Sequence, residues 1–184
     1  MKKFIMALVC FMTMITFFSC GTSFEHDAKT QLKKTVQFLA KDPSSVNISD
    51  VETVYSNDSV CILDFTFQGK NGFGLTITNK MEYVYVIDNR ETDEEEKIID
   101  GLLNLNEETS ILHKAKWAYK FRCKELEDEH NQKQKIGEPK KPLILPDGLK
   151  EECIYLEARS YAYNHGHIVK RLNERLTEND INNW

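Results

Sequence analysis

The sequence predicts an α+β fold, with an N-terminal helix on a three-stranded antiparallel β-meander, followed by a helical C-terminal region. Three observations predict it. Val46 to Ile87 holds three stretches rich in β-branched and aromatic residues, parted by short turn clusters. Just before them, Ala28, Leu32, Val36 and Leu39 recur at helical spacing. After Glu107, two long segments of helical period flank a loop with three prolines.

The chain opens on Met1 to Ser19, which begins Lys2-Lys3 and continues as an apolar run through Phe18. A positive start, a greasy middle and a small residue at the junction make a secretory signal peptide. The junction Phe17-Phe18-Ser19-Cys20-Gly21 resembles a bacterial lipobox, with Phe17 where leucine is usual. The resemblance implies cleavage before Cys20, a lipid on Cys20 and membrane attachment through that lipid. The expected location is the cell envelope. No long acidic run follows Cys20, which favours the periplasmic face of the outer membrane. The apolar run is too short and too close to the N-terminus to be preferred as a spanning helix.

The leader carries two of the 24 basic residues and none of the 29 acidic ones, so the chain from Cys20 onward has a net charge of −7. An acidic exported chain is a poor ligand for nucleic acid, which needs a basic face. Plentiful aromatics and periodic apolar runs argue against disorder. The length from Cys20 suffices to bury a core without disulfide staples.

Residues 20–27 read as a lipid-anchored tether, and 28–90 as helix plus meander. Ala28 to Leu39 carries the first helical stripe, with Lys29, Lys33 and Lys34 outside it. Pro43 ends it and biases Asp42 away from helical geometry. The first strand, Val46 to Tyr55, slips in its alternation, as a bulge would make it. Ser56 to Ser59 is a turn. In the second strand, Val60 to Phe67, one face carries Cys61, Leu63, Phe65 and Phe67. Lys70-Asn71-Gly72-Phe73-Gly74 is a hairpin loop, and Leu75 to Ile87 is the third strand. The first helix is the natural cover for the sheet.

Residues 91–184 read as a helical region. The acidic run Glu91 to Glu96 is a charged helix start or a solvated cluster. Ile98 to Leu103 is apolar. Glu107 to about Lys135 is a long helix with Ile111, Leu112, Ala115, Ala118, Tyr119, Cys123 and Leu126 on one stripe. A loop follows, then a helix from Leu149 to Tyr163 that is apolar almost all round. Asn164-His165-Gly166-His167 interrupts it. Ile168, Val169, Leu172 and Leu176 then suggest a final amphipathic turn or two.

Lys41-Asp42-Pro43-Ser44-Ser45, the strand pair and Lys70-Asn71-Gly72-Phe73-Gly74 together resemble a small domain of many exported bacterial lipoproteins and cell-surface proteins of the Bacteroidetes type. That domain carries no activity we can assign. Many relatives have a second glycine where Leu75 stands here. The resemblance implies an exported or cell-surface protein.

Candidate chemistry is sparse. His165-Gly166-His167 pairs two imidazoles, but no second pair at metal-ligand spacing accompanies them, so solvated loop histidines are the better reading. No cofactor motif, nucleophile elbow or phosphate loop is present. Cys61, in phase with the core face of its strand, reads as inert. That leaves Cys123 and Cys153 as a candidate disulfide, although their levels on the two helices are not matched. Three residues are candidate partner contacts. Phe73 sits at a hairpin tip, either exposed or folded back onto the core. Trp117 and Phe121, four apart on the long helix, fall beside its apolar stripe. They either pack between two layers, the commoner fate, or present an aromatic patch.

The expected function is a membrane-anchored envelope lipoprotein acting as a binding or scaffolding module, with a protein or glycan partner. The alternative is a periplasmic hydrolase or other enzyme whose site is not visible in the sequence.

Overall fold

The computed structural model describes residues 22–88, 97–105, 109–134 and 141–165. The leader, Cys20, the Glu91 to Glu96 run, Gly166-His167 and the Ile168 to Leu176 stripe lie outside the described residues. The elements are α1 (Thr22–Leu39), a 3-10 turn (Pro43–Ser45), β1 (Asn47–Ser56), β2 (Val60–Lys70), β3 (Thr76–Asp88), β4 (Lys97–Asn104), α2 (Ile111–Lys133) and α3 (Leu149–His165).

The α+β class and the meander are as expected, but the sheet has four strands in the order β1-β2-β3-β4, all antiparallel. β4 is the correction: Ile98 to Leu103 belongs to the sheet and not to a helical region. It pairs with β3 from Met81↔Asn104 to Asp88↔Lys97. The strand faces helices on both sides, so it shows no polar–apolar alternation. Its central Gly101 also reads as a breaker. A Cβ there would lie 3.0 Å from the Tyr161 ring, so glycine lets α3 press close against the strand.

α1 begins at Thr22, so most of the segment read as a tether is helical. Phe24 extends the Ala28–Leu32–Val36 stripe by one turn and packs on Tyr85 with ring centroids 5.1 Å apart. α1 covers one sheet face, where Ala28, Leu32 and Val36 are buried with Cys61, Leu63, Phe65, Tyr83 and Tyr85. Phe65 is 2% exposed, and Phe67 packs at the edge of the same cluster. The other face is covered by α2 and α3. There Ile111, Ala115, Ile154, Ala158 and Ala162 meet Val60, Ile62, Val84, Val86 and Leu103. The molecule thus has three layers: one helix, the sheet and a helix pair.

β1 is irregular, as its sequence predicts. Its register shifts between Ser49 and Glu52 and again between Thr53 and Tyr55, and Asp50 takes φ 52°. Aspartate is among the few residues that tolerate this left-handed conformation. The kinks bend an otherwise open sheet edge.

Buried carboxylates lock the layers together. On the α1 side, Asp100 accepts hydrogen bonds from Thr35 Oγ1 (2.7 Å) and from the Tyr83 hydroxyl (2.6 Å). On the other side, Glu82 accepts from the Ile111 amide (2.8 Å) and the Ser110 hydroxyl (2.9 Å). A strand carboxylate therefore caps the first turn of α2, where free amides and the helix dipole favour negative charge. Asp88 accepts from Arg159 Nε at 2.9 Å, which ties α3 to the end of β3.

Candidate functional site

The segments 41–45 and 70–74 meet in space. Asp42 Oδ1 accepts from the Ser44 amide and hydroxyl, which closes the 3-10 turn. These bonds hold the Asp42 carboxyl below its ordinary range, Ser44 being the main cause. Ser45 Oγ donates to Asp42 O and accepts from the Lys70 amide at 3.1 Å. The turn after α1 therefore props up the β2–β3 hairpin at its tip.

The tip is internally bonded. Asn71 Oδ1 accepts from the amides of Phe73 (2.9 Å) and Leu75 (3.0 Å). The Asn71 amide donates to Leu75 O, and the Gly74 amide donates to Asn71 O. Gly74 sits at φ +77°, a conformation that costs a glycine little. The single asparagine side chain thus organises the loop, as Asx-turns do. Phe73 is 91% exposed on it, with Leu75 exposed beside it. The reading in which Phe73 folds back onto the core is corrected: Asn71 binds the Phe73 amide and fixes the loop with the ring outward. The Lys41 ammonium lies beside Gly72, which places a positive charge at the tip.

Trp117 and Phe121 are also exposed, at 62% and 66%. The commoner fate of core packing is not met. Ile111, Leu112 and Ala115 in its first turns join the core against the sheet, and α2 packs against α3. Among the described residues nothing stands over its outer side. Trp117 Nε1 donates to His113 Nε2 at 2.9 Å, and the Lys120 ammonium lies 5.2 Å from the indole centroid. Two open hollows lie on this side, the first between α2 and α3 and the second along α3. One, of about 610 Å³, is lined by His113, Lys114, Trp117, Ala118, Phe121 and Glu157. The next, of about 500 Å³, lies over Leu156, Ser160 and Tyr163 and shares Glu157.

Cys123 and Cys153 lie on the packed helix pair, near enough for the charge on Cys123 to bear on Cys153. All three described cysteines are free thiols. Burial pushes the Cys61 thiol up to about 11, which leaves almost no thiolate at neutral pH.

Glu52, Asp64 and Glu82 form a cross-strand row that the linear sequence hid, because each comes from a different strand. Burial is the largest cause raising Asp64 and Glu82 above the usual carboxylate range. Glu52 adds repulsion at Asp64. Among the described residues no cluster of three or more His, Cys, Asp or Glu is placed to hold a metal ion. The pairing register alone would have found this row.

Compared with known proteins, the chain matches no family model, no curated protein and no solved structure.

Proposed function

We propose that this chain is a lipid-anchored binding module of the bacterial cell envelope that engages a protein or glycan partner through Phe73. The observation that carries this reading is an internally bonded hairpin tip that holds a 91% exposed phenylalanine in solvent. A large ring exposed on a rigid loop gains nothing for folding, but it suits binding, because little entropy remains to be lost. An exposed phenyl face can enter an apolar protein pocket or stack on a sugar ring.

The architecture supports the same reading. Cys20 stands two residues before α1, whose first turn packs on Tyr85, at the other end of the β2–β3 hairpin from its tip. α1 runs 18 residues, about 27 Å. It ends at the turn that props up the tip. A lipid on Cys20 would therefore leave Phe73 at the end of the domain far from the bilayer.

The test is capture of an envelope component from the host by the domain from Cys20 onward. Phe73→Ser should reduce capture at least tenfold with an unchanged melting temperature, whereas Asp58→Ala, on another exposed turn, should not. Protease and glycosidase treatment of the envelope tells which partner class is bound. Equal capture by wild type and Phe73→Ser would overturn the assignment.

A further inference from the structure

We propose that the outer side of α2, with the hollow between α2 and α3, binds an anionic glycan: a chain of pyranose rings that carries carboxylate charge. Three observations point to this class of ligand.

The first is charge. Lys116, Lys120 and Lys124 are exposed and stand four apart, so they share one side of α2 over about 12 Å. Among the described residues none of the three makes an ion pair. No carboxylate stands on α2 before Glu125, and Glu125 is held by Arg122 at 2.9 Å. A chain of net charge −7 from Cys20 onward thus gathers unneutralised positive charge on one side of one helix. Such a stripe draws in a negatively charged chain. It disfavours a second copy on the same side, since the lysines of the two would face one another.

The second is the aromatic pair. Trp117 and Phe121 are exposed, each next in sequence to a lysine of the stripe. The indole is already held by its bond to His113 and by the Lys120 ammonium, so little of its freedom remains to be lost on binding. Exposed aromatic faces suit the apolar C–H face of a sugar ring.

The third is Glu157. It is partly buried, lines the same hollow of about 610 Å³ as Trp117 and Phe121, and makes no hydrogen bond or ion pair among the described residues. A carboxylate only accepts hydrogen bonds. A sugar brings hydroxyl donors to it, whereas a phosphodiester or an acidic side chain brings only further negative charge. Ammonium groups, aromatic faces and an acceptor side by side therefore fit a ligand that carries carboxylates, rings and hydroxyls together.

The chain has two tryptophans, Trp117 and Trp184, so Trp184→Phe leaves Trp117 as the sole reporter. Titration of that chain with oligogalacturonate should shift the Trp117 emission saturably, with an affinity that falls as salt is raised. The methyl ester of the same oligosaccharide, which lacks the charge, and polyglutamate, which lacks the rings, should each bind at least fivefold more weakly. Lys116→Gln with Lys124→Gln should weaken binding at least fivefold. Glu157→Ala should weaken it at least threefold, although it removes a negative charge. Phe73→Ser should leave it unchanged, so this site stands or falls apart from the hairpin tip. The absence of a saturable shift would overturn the proposal. Equal binding of the ester or of polyglutamate would overturn it too, as would unchanged affinity in the lysine variant or loss in Phe73→Ser. Equal or tighter binding by Glu157→Ala would also overturn it, since the ligand would then be read by charge alone.

Discussion

At the scale of the residue, a few side chains carry definite energetic roles. Phe65 is enclosed between α1 and the sheet. Phe65→Ala should cost about 3–5 kcal/mol in a denaturant titration, because the ring leaves a cavity that α1 cannot fill. A loss within the range of surface substitutions would mean that the sheet faces have been exchanged. Glu82 has a different role. Burial raises its folded-state pKa above the value of an unfolded glutamate, so its stabilising contribution is present in acid and lost as the pH rises through the folded value. Glu82→Gln keeps the shape and removes the titration. The melting-temperature advantage of wild type over Glu82→Gln should therefore shrink from about pH 4 to about pH 7. An advantage that grows over this interval would show that the amide and hydroxyl of α2's first turn outweigh the burial.

At the scale of the element, legibility followed the number of faces a segment buries. β2 showed its alternation because Cys61, Leu63 and Phe65 share one face while Asp64 and Thr66 interrupt the other. α1 was legible from its stripe, and its earlier start could have been read from Phe24, four residues before Ala28. β4 was not legible, because a short apolar run with a central glycine fits a buried helix segment as well as a strand. Only the pairing with β3 and the approach of Tyr161 to Gly101 decide it. The candidate site was half legible. The two motif pieces flagged the tip and the turn, but that Ser45 binds the Lys70 amide depends on register across 25 residues. The row Glu52–Asp64–Glu82 was hidden for the same reason. Trp117 and Phe121 were flagged as a pair, but spacing along one helix does not tell which neighbour stands over them.

At the scale of the whole molecule, the account joins an anchor to a display surface. Among the described residues no helix is long and apolar enough to cross a membrane. In the proposed arrangement attachment rests on Cys20: Cys20→Ala should abolish lipid labelling and release the domain from membranes. A variant that still labels and sediments with membranes would refute the lipobox reading. In the proposed arrangement, with the anchor before α1 and the propped tip after it, the three layers would act as a spacer between the bilayer and Phe73. The most direct test is a photo-crosslinking phenylalanine analogue placed at position 73 of the lipidated chain in host cells. The account predicts a discrete covalent adduct in the membrane fraction at position 73 and none with the same analogue at Tyr55, on β1. No adduct at 73, or equal adducts at both positions, would contradict it.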